Sequence, residues 1–126
     1  LMLLGLAAQK FQSKLQDQQE VMGFCADVVM EAYALESALL RTKKKAERDG
    51  EAAAAPFVAA LRVFAEGAVA RIEAAARQAL PTIEQGDMLA TCMEGVARYT
   101  DRQPIATIPL RRTLAMLALE KDAYPL

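Results

Sequence analysis

The chain has 126 residues, long enough for one packed domain and too short for two. It is 54% hydrophobic with a net charge of −1, which excludes a global basic field for nucleic acid or an acidic membrane. It contains no histidine, which excludes Glu-x-x-His di-metal centres, Ser-His-Asp and Cys-His nucleophiles, and most zinc sites.

Richness in Ala, Leu and Met, with only six Gly and five Pro, predicts an all-α fold. The opening LMLLGLAA has no basic flank and runs straight into an amphipathic pattern, so it reads as the start of a helix rather than a leader. Helix A is expected over 1–15, with Leu3, Leu4, Leu6, Ala7, Phe11 and Leu15 as its apolar set. No stretch is expected to supply the ~20 apolar residues that span a bilayer. The first residue is Leu rather than Met, which fits a piece of a longer protein.

Helix B is expected over 18–48, opened by a capping-box-like Asp17-x-x-Glu20. Val21, Phe24, Cys25, Val28, Val29, Ala32, Leu35 and Leu39 recur at three and four, so they are expected to face inward. A second apolar group, Met22, Ala26, Met30, Tyr33 and Leu40, lies beside them. Together they cover roughly two-thirds of the helix circumference, beyond the ~100° stripe of a surface helix. That second group is expected to be an interface face. Glu36 intrudes on the apolar arc, and an ion pair with Arg71 of the next helix is expected, because an unpaired charge there is costly.

A basic patch, Arg41, Lys43, Lys44, Lys45 and Arg48, closes helix B before the Asp49-Gly50 breaker. It suits the helix dipole and could also meet an anionic group. Helix C is expected over 52–79, with Phe57, Leu61, Phe64, Ala68, Ile72, Ala75 and Ala79 inward, Pro56 in its first turn and Pro81 ending it. Thr82 with Gln85 is the expected cap of helix D over 83–99, whose apolar face carries Met88, Leu89, Cys92, Met93, Val96 and Tyr99. A loop at 101–108, punctuated by Pro104 and Pro109, leads to a short helix over 108–120, capped by Thr107. The expected architecture is an up-and-down four-helix bundle with a short C-terminal helix, one domain over 1–126. Cys25 and Cys92 read as separate buried thiols. Asp27 and Glu31 occupy the polar arc of helix B and read as a solvated face. No catalytic, cofactor-binding or metal-ligating residue is assigned.

QEVMGFCADVVMEAYALESALLRT at 19–42, with GLAAQKFQSKLQDQ before it, resembles the extra C-terminal helical domain of very-long-chain-type acyl-CoA dehydrogenases and their bacterial relatives. The likeness is most specific over 5–45, in A-D-x-x-M-E-x-Y-A-x-E-S-A-L-L-R, and continues to I-P-L-R-R-x-L-A near the end. It implies the C-terminal part of an FAD-dependent enzyme that places an α,β double bond in acyl-CoA during fatty-acid β-oxidation. The flavin and catalytic residues of such enzymes lie in the preceding region, so FAD is implied for the parent and no cofactor for this chain. The implied partners are its own dehydrogenase core and further copies of itself, with no nucleic acid. The implied location is the bacterial cytoplasm, with a peripheral membrane position as the variant. A free-standing helical adaptor and a membrane-surface module are the alternative readings.

Overall fold

The computed structural model describes residues 1–124 and 126. They form an all-α chain, as composition requires: α1 (Met2–Phe11), a 3-10 helix (Gln12–Asp17), α2 (Gln19–Asp49), α3 (Glu51–Ile83), α4 (Gly86–Thr100) and α5 (Thr107–Lys121). Contacts divide the chain into two compact units. The first comprises Leu1–Ala32 and Val69–Arg102, the second Tyr33–Ala68 and Gln103–Leu126.

The first unit draws on α1, the start of α2, the end of α3 and α4 around one core. Leu3, Ala7, Val21, Cys25, Ala76, Ala79, Leu80, Ile83, Cys92 and Val96 are buried there, with Phe11, Leu15, Phe24, Val28, Leu89 and Met93 packed against them. Leu80 and Ile83 are the largest fully enclosed side chains. Both cysteines are buried and free, and burial pushes the Cys25 thiol above its ordinary range. The second unit is built differently. Only Thr42, Ala54 and Ala68 are buried in it among the described residues, while Phe57, Leu61 and Phe64 are half-buried.

Gly50 makes the hairpin between the two long helices. Its φ of +88° is the left-handed conformation that favours glycine at a helix C-terminus. Its N–H donates to the Ala46 carbonyl at 2.9 Å, and its own carbonyl accepts the Ala54 N–H at 3.2 Å. One residue thus ends α2 and starts α3.

Several boundaries differ from expectation. α1 stops at Phe11, where Gln12 adopts φ +47°, and the chain continues as a 3-10 helix that keeps Leu15 on the core. Asp17 ends that 3-10 helix, so the residue before α2 is Gln18, whose carbonyl accepts the Met22 N–H at 2.9 Å. α3 begins at Glu51, which places Pro56 beyond the first turn. It also runs through Pro81, where an interior proline costs ~3 kcal/mol. Leu80 and Ile83, on either side of that proline, are 0% and 1% exposed. Burying two such side chains offsets the penalty, at ~1.5–3 kcal/mol each. α4 consequently starts at Gly86 after an extended Gln85, not at a Thr82 cap, and Gly86 has φ +56°. α5 is preceded by Ala106, with Thr107 as its first residue rather than its cap.

The buried face of α2 also departs from a 3.6-residue stripe. Among the buried or half-buried positions, which also include Cys25, Ala34 and Ala46, a row of Val21, Phe24, Val28, Glu31, Leu35, Ala38, Thr42 and Lys45 alternates three and four. A strict seven-residue repeat drifts ~20° per heptad against a straight 3.6 helix. Val29 and Leu39, expected inside, are therefore 43% and 53% exposed, and Ala32 is exposed too. The same repeat brings Glu31 and Thr42 inward. Thr42 satisfies its hydroxyl by donating to the Ala38 carbonyl at 2.8 Å.

α3 corrects one further expectation. By length and composition it is apolar enough to cross a membrane, with a mean hydropathy of 1.5 over 18 residues. Alanine supplies much of that value, and only 11% of the stretch is buried.

Candidate functional site

In the first unit, Arg71 projects from α3 toward α2, where the seam position Glu31 meets it. The guanidinium Nε and Nη2 donate to Glu31 Oε1 and Oε2 at 2.5 and 2.9 Å. This two-pronged match is the strong form of an arginine–carboxylate contact. The expected Glu36–Arg71 pair is thus replaced by Glu31–Arg71, and Glu36 is exposed. Glu31, expected on a solvated face, is the structural acid of α2. The pair edges a small cleft of ≈ 290 Å³ formed with Phe24, Asp27, Ala74, Ala75 and Gln78. Nearby, Glu73 binds Arg77 at 2.9 Å and Arg102 at 3.7 Å.

Arg71, chiefly through its hydrogen bonds, holds the Glu31 carboxyl below the usual carboxylate range. A depressed folded-state pKa contributes stability above the unfolded-state value and loses it as pH falls through the folded one. Glu31→Gln is therefore expected to lower stability modestly at neutral pH, with the difference from the unsubstituted chain vanishing at acid pH. Urea unfolding of both chains across the acid range checks this, and parallel curves at all pH values would contradict it.

The apolar face of α2 is open. In the first unit Met22 and Met30 are 37% and 58% exposed, with Ala26 also exposed. In the second unit Tyr33 and Leu40 are 72% and 59% exposed.

The second unit holds the larger clefts. One, of ≈ 440 Å³, lies between α2 (Tyr33, Ala34, Ser37, Ala38, Arg41, Thr42) and α3 (Phe57, Ala60, Leu61, Phe64), with Tyr124 and Leu126 at its margin. Its neighbour, of ≈ 410 Å³, is lined by Arg41, Lys44, Lys45, Arg48, Phe57 and Leu126. Arg41 and Lys45 both sit over the Phe57 ring, at 5.7 and 5.5 Å from its centre.

The basic patch is divided by its local partners. Lys45 pairs with Asp49 at 2.7 Å, Arg48 with Asp49 at 2.8 Å, and Lys43 with Glu47 at 3.9 Å. Arg48 first and Lys45 second hold the Asp49 carboxyl far below its ordinary range. Arg41 and Lys44 have no carboxylate partner among the described residues. The cleft walls were missed as a site because Phe57, Leu61 and Phe64 read as ordinary core. The available signal was the small residues that share the cleft with them, Ala34, Ser37, Ala38 and Ala60.

Among the described residues, no group of three or more Asp, Glu or Cys is gathered for a metal. No buried side-chain nitrogen or oxygen of the described residues lacks a hydrogen-bond partner. What the arrangement offers is surface: an exposed apolar face and a greasy cleft with a cationic margin.

Comparison with known proteins places the chain in a family. The family model for the acyl-CoA dehydrogenase C-terminal domain matches residues 1–98. A probable acyl-CoA dehydrogenase of Bacillus subtilis (strain 168) is 35% identical over 124 residues, covering 98% of this chain and 21% of that protein. The crystal structure of an acyl-CoA dehydrogenase complexed with FAD from Bacillus anthracis superposes with a TM-score of 0.96 at 37% identity. That match covers all of this chain and 22% of the crystallised one. This chain therefore spans about a fifth of the length of these relatives.

Proposed function

The chain belongs to the acyl-CoA dehydrogenase C-terminal domain family, and from that premise we propose that residues 1–126 are a non-catalytic module of an FAD-dependent acyl-CoA dehydrogenase. The module packs on the dehydrogenase body that carries the flavin and helps the protein assemble with copies of itself. Its chemical setting is fatty-acid β-oxidation in the bacterial cytoplasm.

One observation carries the reading: Met30, Tyr33 and Leu40 are more than half exposed on a helix whose other face is packed. Large apolar side chains grouped on one face mark a surface built to be covered. The relatives' remaining length, about four-fifths of each protein, is a body large enough to cover it. The residues described here do not themselves fit a flavin. The cations line an open cleft, and among the described residues no buried side-chain nitrogen or oxygen is left waiting for a partner. FAD is accordingly assigned to the body.

Truncation tests the proposal. The parent dehydrogenase lacking residues 1–126 is expected to keep bound flavin, visible as its absorbance, while its assembly state changes on size-exclusion chromatography with light scattering. Residues 1–126 alone are expected to be colourless. Flavin carried by this chain alone would overturn the non-catalytic assignment. An unchanged assembly state would overturn the oligomerisation role.

A further inference from the structure

We propose that the cleft between α2 and α3 in the second unit is a helix-docking groove that receives an amphipathic, acidic-flanked helix from the dehydrogenase body. This rests on the reading that the module packs on that body, and it names the contact.

Three observations converge on the occupant. First, the shape suits a helix. The α2 wall runs from Tyr33 to Thr42, nine steps or roughly 13 Å at 1.5 Å per residue. Ala34, Ser37, Ala38 and Ala60 line it beside the larger Tyr33, Phe57 and Phe64, and these small side chains, taken here as its floor, let another backbone approach. Two to three turns of a helix fill such a trough with apolar side chains at i, i+3/i+4 and i+7.

Second, the unit lacks a finished interior. Phe57, Leu61 and Phe64 are only half-buried, and the buried side chains of the unit are limited to Thr42, Ala54 and Ala68 among the described residues. A docked helix completes the burial that the unit's own helices leave undone.

Third, the charge at the margin selects the flank. Arg41 bridges the two adjoining clefts and, like Lys44, has no carboxylate partner among the described residues. Asp49 and Glu47 already occupy Lys45, Arg48 and Lys43. The cations left over call for acidic side chains from outside the unit, on one edge of the incoming helix. The relatives carry about four-fifths of their length beyond the region matched here, so the donor is present in the same protein.

Photo-crosslinking in the full-length dehydrogenase tests the assignment. Ser37→Cys, on the exposed floor, is labelled with a benzophenone maleimide, irradiated, and the adduct mapped by mass spectrometry; Met30→Cys serves as a second probe outside the groove. The expected Ser37 adduct lies in a helical, acid-flanked segment of the body, and Arg41→Glu with Lys44→Glu lowers its yield about tenfold or more. A Ser37 adduct confined to residues 1–126, to a co-purified phospholipid, or unaffected by the double charge reversal overturns the groove assignment. An adduct to the body from Met30 with none from Ser37 sinks the groove while leaving the docked module intact. No adduct to the body from either position overturns both.

Discussion

Replacing Leu80 with alanine is expected to destabilise the isolated chain by about 2–5 kcal/mol, the range for removing a fully enclosed leucine. Leu80 is 0% exposed and lies in the cluster shared by α1, α2, α3 and α4. It also offsets the proline that follows it inside α3, so the cavity and the weakened turn act together. Leu61→Ala, in the second unit, removes a half-buried side chain beside an open cleft and is expected to cost about 1–2 kcal/mol, because less apolar area is lost and solvent already reaches the site. Urea unfolding of the two variants measures both effects. Equal losses would mean that the two units are equally well cored, against the contrast in their buried side chains.

The second large effect belongs to the outer face of α2. Met30→Arg with Tyr33→Arg is expected to change the stability of the isolated chain by no more than about 0.5 kcal/mol, since both side chains are exposed there. On the proposed docking, the same pair in the full-length protein is expected to weaken it by about 2–4 kcal/mol, the scale of a hot spot truncated at an interface. That corresponds to roughly a 30-fold to 1,000-fold rise in the undocked population, at 1.4 kcal/mol per tenfold. Limited proteolysis between module and body, under conditions where opening is faster than cleavage, reads that population directly. An unchanged cleavage rate would show that these two residues face water in the intact protein.

The sequence made much of this legible, and the failures have physical causes. Helical periodicity identified part of the inward set of α3 and α4: Ala68, Ala75, Ala79, Cys92 and Val96 are buried, whereas Met88 and Tyr99, expected on the apolar face of α4, are 54% and 81% exposed. It also separated Met30, Tyr33 and Leu40 from the packed side of α2, because an apolar arc wider than one neighbour can cover shows in the composition of the helix itself. The inward set of α2 was placed less well. A stripe read at 3.6 residues includes Val29 and Leu39, whereas the packed seam repeats at 3.5 and turns both outward. Local propensity alone makes Pro81 a stop, and the burial of Leu80 and Ile83 carries α3 past it.

The ion pair shows what a single-helix pattern omits. The pattern predicts a carboxylate of α2 for Arg71, and the structure supplies Glu31 in place of Glu36. An antiparallel hairpin brings together residues equally distant from its turn. Arg71 lies 21 residues after Gly50 and Glu31 lies 19 before it, whereas Glu36 lies only 14 before. Counting from the turn would have selected Glu31. The groove was harder to see, because whether Phe57, Leu61 and Phe64 are fully or half covered depends on how many neighbours arrive, and that is not written in any one helix.

Hydroxyl-radical footprinting of Met22, Met30 and Tyr33, compared between the isolated chain and the full-length dehydrogenase, tests most directly whether a dehydrogenase body covers this surface. Oxidation of Met30 and Tyr33 is expected to fall about tenfold or more in the full-length protein, as side chains open here become enclosed. Equal oxidation rates in the two proteins would contradict the account.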